Sequence, residues 1–125
     1  MDKLNKVFET EKIKKCPTFT AKIYVGFQEG YSGNIPNFSI DICRKICQDY
    51  CNGVGLAVTI KPLEFIYTDG NEPGVEIGLI NYPRYPKTES EIKIDAIKLT
   101  RLLKDTFKQK RVSIVCSDET YMLGK

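Results

Sequence analysis

The order in which hydrophobic periodicity changes along these 125 residues constrains the fold more than any one motif does. Alternating stretches and helically spaced stretches succeed one another as strand, helix, strand, strand, helix, strand. A chain of that order closes its core by laying two helices on one face of a single four-stranded antiparallel sheet. The pattern also decides which strand residues face the helices and which face away, because side chains alternate across a strand.

The first strand is expected over 18–28, where Ile23, Val25 and Phe27 alternate with Lys22, Tyr24 and Gly26. A helix beginning near Ser39, with Asp41 in its first turn, carries Ile40, Cys43, Cys47, Tyr50 and Cys51 on one stripe and meets a stop signal at Asn52-Gly53. The second strand, 56–67, holds the β-branched run Val58, Thr59, Ile60. Its Pro62 cannot donate to a ladder, which places it at an edge or a bulge. A turn-rich connection, Thr68 to Gly74, leads to the third strand over 75–82, with Val75, Ile77 and Leu79 toward the helices. The second helix, 89–108, capped by Thr88 or Ser90, has a core stripe of Ile92, Ala96, Leu99, Leu103 and Phe107, widened by Ile94, Ile97 and Leu102. The last strand, 111–116, puts Val112, Ile114 and Cys116 on one face. The run from Thr18 to Cys116 resembles a ferredoxin-like α+β domain, a βαββαβ sandwich, an architecture that hosts many functions. Residues 1–17 read as a basic arm before one domain, 18–125. The tail after Cys116 holds too many apolar residues to be wholly free and is expected to fold back or pair with another chain.

The chain has no histidine. That removes Ser-His-Asp and Cys-His catalysis, histidine metal sites and histidine acid–base chemistry. The five cysteines match no zinc or iron–sulfur spacing, so neither a metal nor another cofactor is expected, and the helical cysteines read as core. A net charge of +3 is too small to imply nucleic acid. No apolar run approaches the roughly 20 residues of a membrane span, and the N-terminus lacks the apolar core of a signal peptide, so a cytoplasmic location without membrane contact is the default.

Three places are candidates for function. The sheet face turned away from the helices collects Lys22, Tyr24, Gly26, Glu76, Gly78, Ile80 and Tyr82, together with Ala57, Thr59, Ser113 and Val115. Its centre is too apolar to be simply wetted, and a second copy of the chain is the favoured cover. Its tyrosines resemble an RNA-stacking platform, but Glu76 opposes phosphate and the basic-Gly-aromatic signature is missing, which argues against nucleic acid. The hairpin acid Asp69 suggests metal-dependent nucleotidyl transfer only superficially, because the first strand supplies no second acid. Tyr82-Pro83-Arg84-Tyr85-Pro86 sets an arginine between two tyrosines on a stiff backbone, a composition suited to another protein or a small anionic ligand. The binding residues expected are therefore Tyr24, Ile80, Tyr82, Arg84 and Tyr85, with the loop Gly30–Asn34 nearby and no catalytic residue assigned. The function these features suggest is a small non-catalytic binding, regulatory or accessory protein of phage or mobile-element type, acting as a homodimer. The alternatives are a small histidine-free enzyme using Tyr, Asp or Glu in a cleft, and a nucleic-acid binder.

Overall fold

The computed structural model describes residues 2–28, 35 and 39–124. In chain order the elements are α1 (Lys3–Thr10), β1 (Thr20–Gly26), α2 (Ser39–Val54), β2 (Val58–Tyr67), β3 (Gly70–Ile80), α3 (Glu89–Thr106), β4 (Arg111–Cys116) and β5 (Thr120–Gly124). The strands form one antiparallel sheet in the order β2-β3-β1-β4-β5. The expectation of four strands and two helices is therefore corrected to five strands and three helices among the described residues. The βαββαβ core is present, and each end of the chain adds an element to it. The fold is α+β, with α2 and α3 packed on the same side.

β5 forms because Tyr121 and Leu123 alternate with Thr120 and Met122, which lets the tail lay two apolar side chains against the core while it pairs with β4. The Lys93 ammonium on α3 reaches Asp118 at 2.7 Å and Glu119 at 3.4 Å, and the Tyr121 hydroxyl donates to Glu119 at 2.8 Å, fastening the tight β4–β5 connection to the helix layer. Helix α1 caps itself, with Asp2 accepting from the Leu4 amide, but buries none of its residues.

The core follows the alternation. Ala21, Ile23 and Val25 of β1, Val75, Ile77 and Leu79 of β3, and Val112 and Ile114 of β4 point at the helices and are buried. Facing them are Ile92, Ala96, Leu99, Leu103 and Phe107, and Cys43 and Cys47 from α2. Each large apolar side chain removed from water in this way contributes about 1.5–3 kcal/mol before entropy is counted. Ile94 and Leu102, expected to widen the stripe, lie half exposed instead; the narrower stripe that includes Ile97 already spans the sheet.

Local chemistry accounts for the boundaries. Thr88 caps α3 through a capping box: its hydroxyl accepts from the Glu91 amide at 3.1 Å, and the Glu91 carboxylate accepts from the Thr88 amide at 2.9 Å. α2 runs past Asn52-Gly53 and ends at Gly55, whose φ of 71° stops the helix with its amide on the Cys51 carbonyl. β2 starts at Val58, two residues later than expected, and is an edge strand, as Pro62 demands. The expected connection from Thr68 to Gly74 contracts to a two-residue turn, Thr68-Asp69, with Asp69 at φ 60°. Gly70 to Gly74 are strand, so the β2–β3 ribbon continues beyond the last β1 pair, Gly26–Gly74.

Candidate functional site

No described helix covers the second face of the sheet. Strand register orders its side chains into rows. One row is Lys61, Glu76, Tyr24, Ser113 and Met122; the next is Thr59, Gly78, Lys22, Val115 and Thr120. Directly paired side chains in such rows stand about 4.5–5.5 Å apart at Cβ, close enough to act together. Tyr24, on the middle strand, lies opposite Glu76 on one side and Ser113 on the other. Burial first, and then Glu76, both as hydrogen-bond acceptor and as a negative charge, raises the Tyr24 pKa above its usual value. At neutral pH this phenol is a held proton beside a carboxylate, a pair that binds and orients rather than abstracts protons.

Glycines keep the floor beneath this pair low. A side chain at Gly74 would strike the Phe65 ring and the Val25 carbonyl, and one at Gly26 would come within 2.6 Å of the Glu72 carboxylate. Glu72 folds over Gly26 because it also accepts the Gln28 amide at 2.9 Å, while the Gln109 side chain donates to the Gln28 carbonyl at 2.6 Å. The end of β1 is thereby clamped from both sides. Ile80, Val115 and Met122 extend the face as exposed apolar residues.

The expected site residues divide into two groups. Tyr24 sits in the row just described. Ile80 ends β3 and Tyr82, Arg84 and Tyr85 follow it, with the row of Lys22 and Gly78 between this group and Tyr24. Tyr82 and Tyr85 form an isolated bridge, their rings 6.1 Å apart, and the Arg84 guanidinium lies 5.4 Å from the Tyr85 ring centre. This turn is anchored from behind. The Asn81 side chain accepts the Lys87 amide and donates to the Pro17 carbonyl, and the Lys87 ammonium meets Asp95 at 2.8 Å. The Tyr50 hydroxyl donates to the same Asp95 at 2.9 Å, and burial together with that carboxylate pushes its pKa up to about 12. The loop Gly30–Asn34 and Glu29 lie outside the described residues. The place of Phe65 opposite Glu72 is not legible in the sequence, because residues 70–74 look like turn formers and the two-residue Thr68-Asp69 turn that makes them strand is visible only once the register is known.

Elsewhere the chemistry is sparse. Among the described residues no group of three or more Cys, Asp or Glu could hold a metal ion. Asp69 sits exposed at the ribbon tip. Cys43 and Cys47 hydrogen-bond to one another inside the core, and that contact, with burial, pushes the Cys47 thiol up. An open cleft of about 320 Å³ runs between α2 and β2, lined by Arg44, Cys47, Gln48, Cys51 and the apolar residues 56–60 apart from Thr59.

Comparison with known proteins adds a fold relationship. No family model matches the chain, and no curated protein matches it in sequence. Two solved structures match almost throughout. A phage SAM lyase in the apo state is 20% identical with a TM-score of 0.71, over 86% of this chain and 89% of that one. A phage SAM lyase in complex with S-methyl-5'-thioadenosine is 16% identical with a TM-score of 0.65, over 90% and 95%. The chain has the fold of phage SAM lyase. The expectation of a non-catalytic binding or accessory protein is corrected by this finding: both neighbours are lyases, and the likeness fits the alternative of a small histidine-free enzyme better.

Proposed function

We propose that this chain is an enzyme of the SAM lyase type, acting on S-adenosylmethionine at the open face of its sheet around Tyr24 and Glu76. The observation that carries the reading is the likeness of nearly the whole chain to phage SAM lyase, one structure of which holds S-methyl-5'-thioadenosine. That nucleoside keeps the methyl group and the adenosyl group of SAM, so the bond to break is the one between the sulfonium sulfur and the γ-carbon of the amino-acid arm.

The electron balance suits the residues present. The electron pair of the S–Cγ bond goes to sulfur, which changes from a cation to a neutral thioether. The γ-carbon takes its new bond from an oxygen of the substrate's own carboxylate, closing a five-membered lactone; no water is consumed and no proton moves. A site without histidine, whose phenol Tyr24 keeps its proton, has nothing to lose by this course. Glu76 fits the substrate's α-ammonium, whose charge is constant through the reaction, and so binds without opposing the loss of the sulfonium charge. The Tyr24 hydroxyl orients that carboxylate.

The exposed Ile80, Val115 and Met122 further support self-association through this face, with a second copy closing over the substrate and keeping water out. The direct test is incubation of the purified chain with S-adenosylmethionine and detection of S-methyl-5'-thioadenosine by chromatography and mass spectrometry. Product is expected from the wild type. Failure to form product or to bind the nucleoside sinks the reading.

A further inference from the structure

The lysine on the middle strand of the open face has no role in the reading above. Lys22 lies midway along β1, the middle strand, facing away from the helices. Among the described residues no carboxylate stands within ion-pair distance of its ammonium, whereas Lys45, Lys87 and Lys93 each hold one. Its neighbour on β3 is Gly78, and on the far side of that glycine stands Thr59. A methyl group at position 78 would come within 2.5 Å of the Thr59 hydroxyl oxygen, so the hydroxyl leans over a gap that only a glycine leaves free. Lys22 and Thr59 thus flank this glycine from its two neighbouring strands.

A lysine on the middle strand of a face that a second copy covers is costly to bury unless an anion meets it. We propose that Lys22 and Thr59, either side of Gly78, form the subsite for the carboxylate of the substrate's amino-acid arm. The inference rests on the lyase reading and extends it to substrate selection. Glu76 stands one row along, at the diagonal position, where antiparallel strands separate Cβ atoms by about 7–8 Å. Two long side chains of opposite charge at that spacing match an α-amino acid, whose carboxylate and ammonium sit on one carbon. Lys22 thereby holds the carboxylate on the side of the arm from which it attacks the γ-carbon, and sulfonium nucleosides that lack it are discriminated against.

Calorimetric binding of three unreactive ligands tests this: S-adenosylhomocysteine, its decarboxylated analogue, and S-methyl-5'-thioadenosine. Lys22→Gln is expected to weaken S-adenosylhomocysteine by about tenfold or more, the worth of a charge-assisted hydrogen bond, and to leave the other two unchanged. Lys22→Arg should restore most of the loss, and Lys98→Gln on the helix layer should lose nothing. Equal affinities in wild type and Lys22→Gln, or equal weakening of all three ligands, overturn the subsite and leave the lyase reading standing. A wild type that binds none of the three overturns both.

Discussion

The two faces of this sheet are built from alternate residues of the same strands and have opposite chemistry. Toward the helices, Ile23, Val25, Ile77, Leu79 and Ile114 are wholly buried and meet the apolar stripe of α3. Away from them, on the same strands, stand Lys22, Tyr24, Glu76 and three glycines, with one raised phenol and a lysine that has no described anionic partner. Apolar burial stabilises the first face without selecting a ligand. The second holds polar and charged groups, Tyr24 and Glu76 beside one another and Lys22 with no anionic partner among the described residues. Strand alternation lets one peptide do both, because a substitution at residue i is felt on one face and a substitution at i+1 on the other.

The largest effect should come from the packed face. Leu99→Ala removes a wholly buried side chain from the centre of α3 and is expected to cost about 2–5 kcal/mol in urea unfolding, with the ligand affinity of the protein that remains folded unchanged. Next in size, Glu76→Gln should lower formation of S-methyl-5'-thioadenosine about a hundredfold while the unfolding midpoint stays put. A variant that lost activity and stability together would break the division between the faces. Ile80→Asp on the open face should lower the molar mass measured by light scattering if a second copy covers that face; a wild type already monomeric removes the cover.

Two smaller effects sharpen the picture of the helix layer. Thr100 is completely buried with no partner for its hydroxyl among the described residues, so Thr100→Val should be neutral or stabilising by up to about 1 kcal/mol. Tyr50 has its pKa raised from 10.0 to about 12, so the folded state holds the phenol proton more tightly than the unfolded chain does. The stability this adds is complete below pH 10 and fades as the pH rises through about 12; Tyr50→Phe should flatten that part of the alkaline unfolding curve.

Much of this division is legible in the amino-acid order. Period-two alternation in β1, β3 and β4 places Tyr24 and Glu76 on the open face, and helical spacing picks out Ile92, Ala96, Leu99, Leu103 and Phe107. Three things are not legible, each for a physical reason. β5 is short and follows a polar turn, so its two inward side chains become persuasive only when β4 stands beside them. Residues 70–74 carry Gly, Asn and Pro, the signature of a turn, yet an edge strand opposite them satisfies their backbone and makes them ladder. The proposed function is not legible because cleavage of a sulfonium substrate would need no histidine and no metal, so the motifs by which enzymes are usually noticed are missing. The likeness that brings it into view lies in the fold, at sequence identities of 16–20%.

The central claim is that ligand chemistry belongs to the open face. It is tested most directly by mapping amide chemical-shift changes as S-methyl-5'-thioadenosine is titrated into the labelled protein. The changes should centre on Lys22–Gly26 of β1 and Glu72–Ile80 of β3. Changes confined instead to Arg44–Cys51 and Leu56–Ile60, which line the cleft between α2 and β2, would contradict it.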